Sequence, residues 1–535
     1  MAKRRNLFNP DQPLKHPDHR RPRTRREFIA QGFKAGMGSV FGSSLLGLFA
    51  NPYLSRAWAQ GNDYLSDAIK NEVTRCGIGS GATGNIPFIC FDLAGGANIA
   101  GSNVLVGLDG QLDFLSTAGY SKLGVPGDML PPLANANSAS NDFINRELGL
   151  AFHSESAMLR GILERVSAGN RALINGAVIP ARSENDTGNN PHNPMYGINI
   201  AGANGELMAL IGSRNSDSGG NSMAPMSMIN NEVRPTKIDR ISDVTGLVDV
   251  GDLATFFPQQ NDRVKVMEAI AKISHSRIGT VDTGLTAPYK DSGRSKDAVI
   301  REDLLRCGYV ESAYLTNKYS SSDALDPRGD SLLVSDDNAS APFSLADMDD
   351  REFAKTASIL KLVGSGLAGA GTITMGGYDY HTGDRATGEL RDERAGRCIG
   401  ACLQYAANLG TPIMLYVFSD GSVFSNGMTD DSIDGGGKGV WTGDNQQTAA
   451  AFFLVYNPAG QPQLLSESQQ QLGRFTADGN VNTSSSPAAN SVTALVDTVI
   501  LNYMALHGRQ GKFSSLFSHS LGSDLDKMTA FAPIA

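Results

Sequence analysis

Two short apolar runs, Thr372-Ile373-Thr374-Met375 and Pro412-Ile413-Met414-Leu415-Tyr416-Val417-Phe418, bracket a helical pattern. In it Leu390, Ala395, Cys398, Ile399, Cys402, Leu403 and Ala406 recur at 3.6-type spacing. A helix over 351–367 precedes the first run, with Phe353, Ala357, Leu360 and Leu367 on one face, and a further strand is expected over Ala450–Tyr456. Near-continuous apolar strands that alternate with helices are the pattern of a sheet buried on both faces. The fold class expected is therefore α/β: a doubly wound, largely parallel sheet with helices on both faces and long loops.

Working outward, Pro87-Phe88-Ile89-Cys90-Phe91-Asp92-Leu93 is another buried strand, ending in Ala94-Gly95-Gly96-Ala97-Asn98, and Ala172–Val178 is a fifth. Helices are expected over Ser156–Val166, Asp262–Ser276, Asp297–Tyr319 and Ser491–His507, with Asn480–Ala489 as a solvated linker before the last. Residues 107–145, 180–235, 320–345 and 420–447 are rich in Gly, Asn, Asp and Ser and read as long loop insertions in one large domain over 60–535. Loops of that length in a compact domain commonly carry function.

The first 59 residues read as a removable leader. Arg25-Arg26 stand in Thr24-Arg25-Arg26-Glu27-Phe28-Ile29, a twin-arginine pattern, followed by a weakly apolar, Gly-rich run to Ala50 and a small-x-small site at Ala57-Trp58-Ala59. That run carries Gly and Ser and falls short of the ~20 residues a span needs, so no stable transmembrane span is expected after cleavage. Of 46 Lys+Arg and 55 Asp+Glu, 11 and 3 fall in residues 1–59, which leaves the remaining 476 residues at a net charge of −17. So acidic a protein is a poor partner for nucleic acid or an anionic membrane surface. A periplasmic or extracellular location is expected, with the twin-arginine translocase as partner during export and a small-molecule or envelope ligand afterwards. Among five cysteines, Cys76 and Cys90 flank a Gly-rich turn and are able to pair in an oxidising compartment, whereas Cys398 and Cys402 face a helix core.

Ligands of open α/β sheets collect at the carboxyl ends of the strands. There the chain places Gly376-Gly377-Tyr378-Asp379-Tyr380-His381, then Ser419-Asp420-Gly421, and Gly443-Asp444-Asn445 ahead of the last strand. A carboxylate and an imidazole two residues apart past a buried strand can face one ion, so Asp379, His381, Asp420 and Asp444 are candidate ligands of a divalent metal ion. Ser102, near the first Gly-Gly turn, and His192, in the loop Asn190-Pro191-His192-Asn193-Pro194, are candidate catalytic groups. The bland reading competes at each position: Asp, Asn and Ser are ordinary turn residues, and Asp444 by itself reads more readily as a turn. His153, His275, His507 and His519 sit on or beside helical patterns and read as structural. The Gly-rich stretch 77–84 precedes a strand rather than following one, which excludes a dinucleotide fingerprint.

The order of these features resembles the exported proteins of the domain-of-unknown-function 1501 family, which is similar to the alkaline phosphatase and sulfatase superfamily. The resemblance rests on the leader, Gly95-Gly96-Ala97-Asn98, Arg182-Ser183 to His192, Gly376–His381, Phe418-Ser419-Asp420 and Asp444. It implies an alkaline phosphatase-like sheet with a metal site at its carboxyl edge, Asp379 and His381 falling on the family's motif. The chain departs from the pattern in carrying Asn98 where the family has Asp, Asp420-Gly421-Ser422-Val423 in place of Glu-Phe-Gly-Arg, and Asp444-Asn445-Gln446 in place of Asp-His-Gly. One histidine and one carboxylate are thereby missing, which implies one ion or none instead of two. Two functions are expected from this: a divergent metal-dependent hydrolase of phosphate or sulfate esters, or a non-catalytic binding protein on a decayed site.

Overall fold

Alternate residues of the central strands face two separate cores. In Phe88–Ala94 (β1), Ile89, Phe91 and Leu93 enter one apolar cluster while Phe88 and Cys90 enter the other. In Ile413–Ser419 (β8), Ile413, Leu415 and Val417 face the first cluster and Met414, Tyr416 and Phe418 the second. A strand with period-2 geometry and apolar side chains at nearly every position has no solvent face, and must lie between two helical layers. A computed structural model of the chain describes residues 63–76, 78, 85–183, 190–249, 253–288, 293–383 and 385–534. The expected leader over 1–59 lies outside the described residues.

The other strands are Ile144–Leu148 (β2), Leu150–His153 (β3), Ile174–Pro180 (β4), Met208–Gly212 (β5), Thr236–Lys237 (β6), Ala368–Gly376 (β7), Val423–Asp430 (β9), Lys438–Asp444 (β10) and Ala450–Tyr456 (β11). Seven of them form one sheet in the order β4-β11-β8-β1-β7-β5-β6. β1, β5, β6, β7 and β8 run parallel, and β11 runs antiparallel to both β8 and β4. The α/β class and the largely parallel sheet are thus as expected.

The longer helices are Asp67–Arg75 (α1), Ala157–Arg165 (α2), Gln260–Ile278 (α3), Arg306–Lys318 (α4), Arg351–Gly364 (α5), Ala386–Leu409 (α6) and Val492–Leu506 (α7). α2, α5 and α6 cover the first face of the sheet, with Met158, Ile359, Leu360, Ile399 and Leu403 in its core. α7 covers the second through Leu495, Val499 and Ile500. α1, α3 and α4 form a satellite with its own cluster around Ile69, Val264, Met267 and Val310. Among the described residues no helix is long and apolar enough to cross a membrane.

Several expectations are corrected. Cys76 pairs with Cys307 and joins α1 to α4 within the satellite, with 5.5 Å between Cα atoms. Cys90 is out of its reach because it lies inside the central strand, its Sγ 3.3 Å from Thr372 Oγ1. The stretch 180–235 contains β5, a fully buried strand between β7 and β6. The stretch 420–447 is mostly the β9–β10 hairpin. Residues 480–489 pack instead of floating: Val481, Ala488 and Ala489 are buried, and Val481 bridges Phe475.

Candidate metal centre at the carboxyl edge

The site is set by where the strands stop. Ala94 pairs with Gly376, so β1 and β7 end side by side. Past that point the Tyr378 amide donates to Ala94 O and the Gly96 amide to Tyr378 O, each at 3.2 Å, which keeps the two turns together. Gly95 has φ +127°, and a Cβ there would meet Asp379 N at 2.7 Å, so only glycine lets the first turn lie against the backbone of Asp379. Leu93 pairs with Ser419, whose hydroxyl donates to Leu93 O at 2.7 Å and accepts from Ala97 N at 3.0 Å. Because β11 is antiparallel, the segment that precedes it, Asp444 included, reaches this same edge.

Three of the expected ligands converge. His381 Nδ1 lies 2.5 Å from Asp379 Oδ1 and 2.9 Å from Asp444 Oδ1, and ligand atoms of all three lie within 4.8 Å of one another. Neither contact is aligned as a hydrogen bond, so this ring nitrogen has none. The side chains are 55%, 29% and 46% exposed for Asp379, His381 and Asp444, while the His381 Nδ1 atom itself is enclosed. One nitrogen and carboxylate oxygens form a donor set that suits zinc, manganese or iron.

Asp420 lies outside that group. It is fully buried, and its Oδ1 accepts from Gly95 N at 2.8 Å while Oδ2 accepts from Asn221 Nδ2 at 3.1 Å. Burial pushes its carboxyl up to about 7, against the pull of the Gly95 amide and with help from the charge of Asp92. Ser102 is 1% exposed and its hydroxyl is taken by the Asn98 side chain. His192 is buried with its ring stacked on Phe418, centroids 5.9 Å apart, and burial pushes it down to about 4. The structure therefore gathers Asp379, His381 and Asp444, and leaves Asp420, Ser102 and His192 as interior groups.

Sequence reasoning missed the residues that hold the edge together. Asp92, fully buried, accepts the amides of Asn221 (2.6 Å) and Ser222 (2.9 Å) and the Ser222 hydroxyl (3.1 Å), tying the 213–222 loop to β1. A charged residue inside an otherwise apolar strand was the available signal. The two halves of the ion group are joined by the Gly383 amide donating to Trp441 O at 2.8 Å, and by Arg385, whose guanidinium carbon stands 4.5 Å from the Trp441 ring centroid. Below them Glu389 takes Arg385 at 2.6 Å and Lys438 at 2.5 Å. Burial by itself would raise the Glu389 carboxyl, but the two cations hold it below its ordinary value.

Comparison with family models, curated proteins and solved structures finds no match.

Proposed function

We propose that the chain is exported by the twin-arginine pathway and hydrolyses phosphate or sulfate esters outside the cytoplasm, using one divalent cation held by Asp379, His381 and Asp444. The convergence of these three side chains, from two separate turns, carries the reading. A cation bound there supplies an activated water and offsets negative charge on an ester oxygen. The chain's own part is placement. The Gly95 turn seats Asp379, and the Gly383–Trp441 hydrogen bond keeps Asp444 beside His381. Membership of the domain-of-unknown-function 1501 family is part of the proposal, supported at the level of fold class by the seven-stranded, mostly parallel sheet. The Cys76–Cys307 disulfide supports an oxidising compartment.

One observation favours a second reading, a non-catalytic binding protein on the same fold: Ser102 is walled off and bonded to Asn98, so it brings no nucleophile to the ion group. An assay separates the two. The purified protein, supplied with zinc or manganese, is expected to cleave an aryl phosphate or aryl sulfate, with His381→Ala lowering the rate about 100-fold or more. Metal uptake without cleavage of either ester would decide for the non-catalytic reading.

A further inference from the structure

Beyond Asp444 the same loop runs on to Gln446, which lines a cavity of about 240 Å³ together with Arg182, Ser183, Asn490 and Val492. Three distant segments are stitched together around it: Arg182 N donates to Ala489 O at 3.0 Å, and Ser183 N to Gln446 O at 3.2 Å. The Arg182 guanidinium is held between two neutral amides, Nη1 donating to Asn490 Oδ1 at 2.8 Å and Nη2 to Gln446 Oε1 at 3.2 Å. Anchoring both amides by their oxygens leaves their NH2 ends to serve as further donors.

Two donors at this cavity are unsatisfied. Ser183 is 2% exposed and its hydroxyl has no hydrogen-bond partner; the buried Nε of Arg182 has none either. Buried donors left unpaired are costly, and native proteins keep few of them without a ligand or ordered water to accept the bond. Val492 is the first residue of α7, a helix of 15 residues. The first-turn amides and dipole of such a helix favour negative charge beside it. Among the described residues Arg182 has only these neutral partners. The chemistry called for is an acceptor-rich anion.

We propose that this cavity is an oxyanion subsite that takes the phosphate or sulfate group of an ester, or the free ion. Its use as the substrate's anion pocket rests on the metal-centre reading, whereas anion binding itself does not. Arg182 supplies the charge, Ser183 the fixed donor, and Gln446 the physical link to the loop that carries Asp444.

The test is calorimetric titration of the purified protein with inorganic phosphate and, separately, inorganic sulfate, in the presence of a chelator so that the outcome is independent of the ion group. Saturable binding of at least one anion is expected, with Arg182→Gln weakening it about tenfold or more and Ser183→Ala about threefold, both at unchanged Tm. If Arg182→Gln lowers the Tm, Ser183→Ala carries the comparison. Binding of one anion alone upholds the subsite and identifies the ester class. No saturable binding of either anion, or wild-type affinity in Ser183→Ala, overturns it. A chain that binds the anion yet takes up no cation upholds the subsite and removes the metal-centre reading.

Discussion

Lys438 Nζ and Glu389 Oε2 meet at 2.5 Å in the interior, with both side chains less than a tenth exposed. Lys438 opens the strand that ends at Asp444, and Glu389 lies in the first turn of the helix that follows His381. The pair thus joins the two chain segments that must coincide for the ion group to exist. Glu389→Gln leaves Arg385 and Lys438 buried against a neutral partner. Breaking such a buried arrangement costs about 3–5 kcal/mol, measurable by urea unfolding. Supporting residues behind a metal typically hold about 10–100-fold in affinity, so zinc titration of the variant should show a loss in that range.

Gly95→Ala tests the other half of the site. Its Cβ would stand 2.7 Å from Asp379 N, at a φ that L-residues rarely adopt. Relief requires the Asp379 turn to move. The variant is expected to lose about 1–3 kcal/mol of stability and to bind metal more weakly than wild type in the same titration.

The disulfide makes a counting prediction. Cys90, Cys398 and Cys402 are free and buried, and Cys76 and Cys307 are bonded. Alkylation followed by mass spectrometry should label no cysteine in the native protein, three after denaturation without reductant, and all five after reduction. Reduction is also expected to lower the unfolding free energy by about 2–5 kcal/mol.

Asp420 makes a pH prediction whose sign is opposite to that of an ordinary paired carboxylate. Its folded value is pushed up to about 7 from 3.8. Between these values the folded state binds more protons than the unfolded, so this group's contribution is greatest below pH ~4 and is lost as pH rises toward 7. Asp420→Asn cannot ionise. Its stability relative to wild type should therefore rise across that window, as followed by urea unfolding at pH 4.5, 6 and 7.5.

Much of this architecture was legible in the chain. β1, β7, β8 and β11 announced themselves because a strand buried on both faces needs apolar side chains at nearly every position. The direction of β11 was not legible, since its pattern is the same whether parallel or antiparallel. Yet it decides that Asp444, which precedes the strand, stands at the edge where β7 ends. β5 was hidden because Met208–Gly212 is short, with four apolar residues that nearby Gly and Asn, as turn residues, outweigh. The Asp379–His381–Asp444 group was readable from its place at strand ends. Asp420 looked equivalent, but the Gly95 amide and Asn221 claim its oxygens. The Lys438–Glu389 contact and the Cys76–Cys307 bond join residues far apart in the chain, and no local pattern encodes such meetings.

Metal content tests the central claim most directly. Purified protein analysed by elemental mass spectrometry is predicted to carry about one equivalent of a divalent transition metal, absent from Asp379→Ala and His381→Ala, with a Tm that falls on chelation. Wild-type protein free of such metal, taking up none on addition and melting at the same temperature with and without chelator, would contradict it.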